Sequence, residues 1–206
     1  MTTFLQAGNP PLILASTSVT RTRLLERAGL DFATEAPGLD EAAMREALGP
    51  ESVDPNDVAE VLARGKAEAV SALSQEAFVI GADQVLSLGD AILSKPSDMD
   101  EARVQLLDLS GRTHRLHTAV ALATRGSTVW AFIDVAILTM RPLTPEFIGR
   151  YLAAAGEAVL GSVGAYQVES LGIQLFEKIE GDFFSILGLP LLPLLDALRR
   201  KRAIGS

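Results

Sequence analysis

The 206-residue sequence predicts an α/β fold built on a mixed sheet. Two observations carry this. Apolar runs of strand length alternate with stretches of helical periodicity along the whole chain. Glycine, proline, asparagine or aspartate punctuates the boundaries between them. A composition that is 48% hydrophobic and 21% charged can bury a sizeable core, in one large domain or two small lobes.

The elements follow in order. Leu12–Ala15 is a strand, and Ser16, Ser18, Arg21 and Arg23 lead into an amphipathic helix that stops at Gly29. Asp31–Glu35 is extended. Residues 36–56 form the longest irregular stretch, with room for a helical turn around Ala42–Leu48. Val58, Val61, Leu62, Ala69 and Leu73 set a helix over 57–73, with Lys66 on the flank of that stripe. Phe78–Ala82 is a buried strand with Asp83 at its end. Val85–Leu88 and Ala91–Leu93 make a hairpin around Gly89-Asp90. Ser97 caps a helix that runs to about Leu109, with Asp98, Asp100 and Glu101 in its first turn and Gly111 as its stop. Strands follow at 113–124 and 128–139, joined by Arg125-Gly126-Ser127. A helix at 144–154 has Thr144 as cap and Pro145 at its first position. Residues 155–170 are glycine-rich, and Ile173–Ile179 is a further strand. A helix over Leu189–Arg200 closes the pattern, its basic end suited to the helix dipole. There is no internal repeat.

Charge and composition exclude several functions. The net charge of −8, from 26 acidic and 18 basic residues, argues against a general nucleic-acid surface. The absence of cysteine removes disulfides, thiolate zinc sites and cysteine nucleophiles. No stretch reaches the roughly 18–20 apolar residues of a membrane span, and the first residues lack the pattern of a secretory signal. A cytoplasmic protein with no membrane partner is expected.

The residues after the first strand form a natural anion site. Free N–H groups at a helix start, the positive end of its dipole, the hydroxyls of Ser16 and Ser18, and Arg21 converge there. Read alone, the serines could equally cap the helix while Arg21 is solvated. It is not a Walker A loop. Asp83 needs a cationic partner if buried, or it caps a turn. Asp40 and Glu41 lie in a loop, where acids are solvated or hold a hard cation. Lys66 and Lys95 are surface lysines or phosphate clamps. His114 and His117 are three apart in a strand, so they face opposite sides and cannot share a metal. Together, carboxylates for a metal and cations for oxyanions make the inventory of phosphoryl-transfer chemistry.

The chain also resembles the Maf nucleotide pyrophosphatases. The similarity rests on Leu12–Gly29, Ile80-Gly81-Ala82-Asp83-Gln84, Ser94-Lys95-Pro96, Leu109–His114, Gly164-Ala165-Tyr166, Ile179–Phe183 and Gly188–Leu191, in order over about 12–198. The resemblance implies a single domain over 1–206, similar to inosine triphosphate pyrophosphatases: an elongated sheet flanked by helices, with two lobes around a central cleft. It implies a cytoplasmic homodimer with a house-cleaning role. The implied reaction hydrolyses a nucleoside triphosphate to the monophosphate and diphosphate with Mg²⁺, Mn²⁺ or Co²⁺. Ser16, Ser18, Arg21, Lys66 and Lys95 match the phosphate-binding positions. Glu41 and Asp83 match the catalytic and metal-binding acids, with Asp83 at the position of the proton acceptor. Val19 and Thr20 replace the usual proline and first arginine of the opening signature. Thr20, Gln84 and Glu169 occupy specificity positions, and the last two are similar to the branch acting on 7-methyl-GTP rather than on dTTP or UTP. A nucleotide-binding regulator of septum formation is the alternative outside enzymology.

Overall fold

The computed structural model describes residue 6, residues 10–47 and residues 54–205. Leu48, the far end of the expected helical turn, residues 49–53 and most of the N-terminal segment lie outside the described residues. The strands are β1 (Leu12–Ala15), β2 (Ala33–Glu35), β3 (Phe78–Leu88), β4 (Ala91–Leu93), β5 (Thr113–Thr124), β6 (Ser127–Met140) and β7 (Phe176–Glu180). The helices are α1 (Val19–Arg27), α2 (Glu41–Ala47), α3 (Pro55–Leu73), α4 (Met99–Leu109), α5 (Pro145–Ala155), α6 (Phe183–Ile186) and α7 (Leu191–Arg200). The strands form a seven-stranded sheet in the order β2-β1-β3-β5-β6-β7, with β4 paired to β3. β1 runs parallel to β2 and β3, whereas β3/β4 and β6/β7 are antiparallel. The sheet is therefore mixed and open, flanked by helices, as the sequence predicts.

The chain divides into two compact units. The first holds residues 1–83, 118–134 and 188–206, and the second holds 84–117 and 135–187. β3, β5 and β6 contribute residues to both. In the first unit all four residues of β1 are buried, and Ile13 and Ala15 pack with Val70, Ala77 and Val79. In the second unit Leu86, Leu106, Leu109, Leu116, Leu138 and Met140 are fully buried within one continuous core. Each such side chain contributes about 2 kcal/mol through apolar surface removed from water.

Local chemistry explains most element ends. Thr144 Oγ1 accepts from Phe147 N at 3.2 Å and caps α5, with Pro145 in the first turn. The β3/β4 hairpin turns through Gly89-Asp90 as expected, Leu88 pairing Ala91. Four expectations need correction. Asp83 does not end its strand: β3 runs unbroken from Phe78 to Leu88, because a buried ammonium partners the carboxylate and removes the reason to stop. Ser97 is not the cap of α4. Asp98 Oδ1 accepts from Glu101 N at 2.8 Å, and Glu101 Oε2 reaches back to Ser97 N at 2.7 Å. This reciprocal pairing fixes the start at Met99. The strand expected from Ile173 begins at Phe176, since Leu171–Leu175 forms a 3₁₀ turn. The C-terminal helix starts at Leu191, not Leu189, after Pro190.

Candidate active site

The site in the first unit is built by close packing around Lys66. The buried face of α3 carries Ala59, Leu62, Ala63, Lys66, Ala67 and Val70. Lys66 is thus within the buried stripe and not on its flank. Hydrophobicity points to the large apolar residues, but Leu73 is 86% exposed. Packing instead selects the alanines, because they face Gly81 of β3. A Cβ on Gly81 would lie 2.6 Å from Ala67 N and 2.9 Å from Ala67 Cβ. Only glycine lets α3 lie this close to β3. On the other side, a Cβ on Gly65 would meet Met44 Cε at 2.6 Å and Leu39 Cδ1 at 3.3 Å. That contact holds α2 against α3.

The two approaches place Lys66 between two carboxylates. Lys66 Nζ lies 2.7 Å from Asp83 Oδ1 and 2.8 Å from Glu41 Oε1. Lys66 is 6% exposed and Asp83 5%. Glu41 opens α2 rather than sitting in a loop, and Asp40 Oδ1 accepts from Ala43 N at 2.9 Å at the start of that helix. Asp83 Oδ2 is buried without a hydrogen-bond partner. Arg45 Nη2 stands 3.7 Å from it, within ion-pair range but too long for a hydrogen bond. The sequence reading did not single out Arg45. The signal was there, since it lies four residues after Glu41, one turn along the same helix.

The serines and Arg21 form the second half of the site. Ser18 caps α1, its Oγ accepting from Arg21 N at 3.4 Å. Ser16 is buried, and its Oγ accepts from Ser18 N at 3.1 Å. Arg21 Nη1 donates to the same Oγ at 3.4 Å, and Arg21 Nε donates to Gly188 O at 2.8 Å. The capping reading holds for Ser18, but Arg21 is not simply solvated: Ser16 Oγ and Gly188 O fix it at the first turn of the helix. Enclosure pulls the Arg21 guanidinium below its usual value, while Asp83 and Glu41 push it back up. It stays protonated. Asp83 and Glu41 are therefore met by Lys66, Arg21 and Arg45, which leaves positive charge over for an anion. Ser16 also borders a pocket of about 350 Å³ with Thr17, Thr22 and Thr34.

The remaining expected site residues sit as follows. Thr20 is half-buried on the first turn of α1. Gln84, Lys95 and Glu169 belong to the second unit. Gln84 Nε2 donates to Ser185 O at 3.0 Å and to Ile186 O at 3.1 Å. Lys95 is exposed in the β4–α4 loop, which Gln105 Nε2 braces through Ser94 O at 2.9 Å. Glu169 is exposed in a turn between two 3₁₀ segments. His114 and His117 have separate partners: His114 Nε2 pairs with Tyr166 OH at 2.8 Å, and His117 Nε2 with Ser87 Oγ at 2.9 Å.

Two carboxylates with one orphaned buried oxygen fit one hard divalent cation. Among the described residues no group of three or more His, Asp or Glu side chains gathers to hold a metal. That suits an ion bound through one or two carboxylates plus substrate phosphates. Among the described residues no helix is long and apolar enough to cross a membrane.

Known proteins resemble this chain over nearly its whole length. The profile of the family described as Maf-like protein matches residues 11–201. A protein of Brucella abortus named 7-methyl-GTP pyrophosphatase is 53% identical over 195 residues, covering 95% of this chain and 98% of its own. One of the same name from Rhizobium johnstonii is 54% identical, covering 96% and 99%. A nucleoside triphosphate pyrophosphatase of Caulobacter vibrioides is 47% identical, covering 94% and 97%.

Proposed function

The chain belongs to the Maf-like protein family, and from that premise we propose that it hydrolyses a nucleoside triphosphate to the monophosphate and diphosphate. The observation that carries the reading is Asp83 Oδ2, a buried carboxylate oxygen without a hydrogen bond, beside Glu41, Lys66, Arg21 and Arg45. A buried acceptor of this kind is costly unless it has a task. Here the task is to take the proton of the attacking water. The water's hydroxyl goes to one phosphoryl group, and the α–β bridging oxygen leaves with the other. Ser16, Ser18 and Arg21 hold phosphate oxygens at the start of α1. Lys66 and Lys95 complete the charge on the triphosphate, and Arg45 faces the same cluster. Glu41 and Asp83 would hold Mg²⁺, Mn²⁺ or Co²⁺, which would supply positive charge against that developing on the phosphates.

We favour 7-methyl-GTP as the substrate. Two of the relatives bear that name, and Glu169 offers an exposed carboxylate able to accept from the N1–H and N2–H edge of guanine. The methylated base carries positive charge, which the same carboxylate favours. Gln84 contributes by holding the Ser185–Ile186 turn in place, and Thr20 leaves room where the resemblance has an arginine. A single domain acting as a homodimer in the cytoplasm completes the reading. The net charge of −8 disfavours non-specific association with nucleic acid or an anionic membrane.

The test is release of diphosphate from 7-methyl-GTP, GTP, dTTP, UTP and CTP with each of the three metals. The expected result is turnover with a preference for 7-methyl-GTP, and loss of about 10²-fold or more in kcat for Asp83→Asn. No diphosphate from any nucleotide overturns the activity. A preference for dTTP or UTP overturns the role given to Glu169. Full rate in Asp83→Asn overturns the proton acceptor.

A further inference from the structure

We propose that Lys66 is an internal counter-cation that excludes the divalent metal until the nucleotide arrives. The inference rests on the reading of the site as a metal-dependent pyrophosphatase and adds its regulation. Lys66 Nζ stands 2.7 Å from Asp83 Oδ1 and 2.8 Å from Glu41 Oε1, so one ammonium bridges the two carboxylates that fit a metal. An ammonium and a divalent ion cannot share those oxygens at such distances without strong repulsion in a poorly solvated place. The two cations therefore compete.

The packing makes the ammonium a fixed competitor. Lys66 is buried on α3 between Ala63 and Ala67, both pressed against Gly81. Its stem has little freedom, and its head has an anion on each side. A metal ion alone must displace it and leave a buried ammonium without partners, which is unfavourable. A metal arriving with a triphosphate brings its own anion. Lys66 then exchanges a carboxylate for a phosphate oxygen, and no charge is left unpaired. Among the described residues no third acidic or imidazole ligand adds to Glu41 and Asp83. The protein oxygens alone are thus a weak match for the ammonium they already hold. The consequence is ordered assembly: metal and nucleotide bind together, and neither carboxylate is given to a stray ion.

The test is Mn²⁺ binding followed by the free-ion resonance signal, with and without a non-hydrolysable α,β-methylene 7-methyl-GTP. Wild type is expected to bind Mn²⁺ weakly alone and at least about tenfold more tightly with the analogue, once the Mn²⁺ bound by the analogue itself in a protein-free titration is subtracted. Lys66→Met and Lys66→Gln are expected to bind Mn²⁺ alone at least about tenfold more tightly than wild type. Lys178→Met removes the same charge from an exposed pair with Glu180 and is expected to leave Mn²⁺ affinity unchanged. Circular dichroism checks that each variant is folded, and the wild-type comparison stands even if both Lys66 variants unfold. Equal Mn²⁺ affinity in wild type with and without the analogue overturns the proposal, as does a folded Lys66 variant no tighter than wild type. Tight Mn²⁺ binding by the variants in a protein that releases no diphosphate would sink the activity and leave the counter-cation role standing.

Discussion

Asp83 and Lys66 are each nearly closed off from water and meet at 2.7 Å. Removing either alone leaves the other charge buried without its main partner, at a cost of about 3 kcal/mol. Removing both removes the desolvation penalty with the attraction. We expect Lys66→Met and Asp83→Leu each to lower stability by about 3 kcal/mol. The double variant should be more stable than the sum of the two losses, while its activity is gone. Urea unfolding of the four proteins measures this, and additive losses would contradict a coupled pair. His114 gives a second prediction at this scale. Burial lowers its pKa from 6.5 to about 4. Between those values the unfolded chain takes up a proton that the folded chain refuses, so stability falls as pH drops from about 6.5 towards 4. The loss over that window is on the order of 3 kcal/mol. His114→Phe gives up the bond to Tyr166 OH and is less stable at neutral pH. It should nevertheless show a flatter acid limb in urea melts from pH 7 to 4, and an acid limb as steep as that of wild type would refute the assignment.

Helix α3 owes its position to two glycines that differ in what opposes a side chain. At Gly81 the obstacle is Ala67, backbone and Cβ together, which cannot move unless α3 moves. At Gly65 it is chiefly the terminal methyl of Met44, which can swing away. Gly81→Ala is therefore expected to cost about 1–3 kcal/mol through overpacking and to loosen the Lys66–Asp83 contact, lowering kcat. Gly65→Ala gains up to about 1 kcal/mol of helix propensity against that small displacement and should be near neutral in stability. Guanidinium melts with parallel rate measurements compare them, and equal effects of the two variants would overturn the account. The same element shows how far the sequence could be read. Its helix, the hairpin at Gly89-Asp90 and the Thr144–Pro145 start were legible, because each rests on neighbours in the chain. The bounds of β3 were not. An aspartate in an apolar strand looks like a terminus until its lysine, 17 residues earlier, is known to meet it. Ser16, Ser18, Arg21, Lys66, Asp83 and the Asp40-Glu41 pair were singled out by residue type, and the choice of Glu41 over Asp40 came from the family resemblance. Arg45 was missed although its spacing from Glu41 was local, whereas the fate of Gln84 was hidden because its partners are distant in sequence.

The molecule carries a net charge of −8, so two copies repel each other at long range. The homodimer proposed above would then be held by apolar surface, and the first unit supplies a candidate. Trp130 and Phe132 lie on the same face of β6, their rings stacked with centroids 6.3 Å apart. Phe132 is 37% exposed. β7 pairs with β6 only from Ile137 onward, so it does not cover the edge of this half of the strand. Exposed aromatic surface beside a strand edge that β7 leaves uncovered favours association with another chain. If the second copy docks here, screening by salt weakens the repulsion while the apolar contact persists. Dimerisation should therefore strengthen between about 50 and 500 mM NaCl, a range over which the Debye length shortens severalfold. An interface held by ion pairs would weaken over the same range. Phe132→Lys puts a charge into the contact and should shift the protein to monomer without changing its unfolding midpoint by more than a few tenths of a molar urea. Sedimentation equilibrium at both salt concentrations decides the matter. A wild type that dissociates as salt rises, or a Phe132→Lys protein that remains dimeric, places the interface elsewhere.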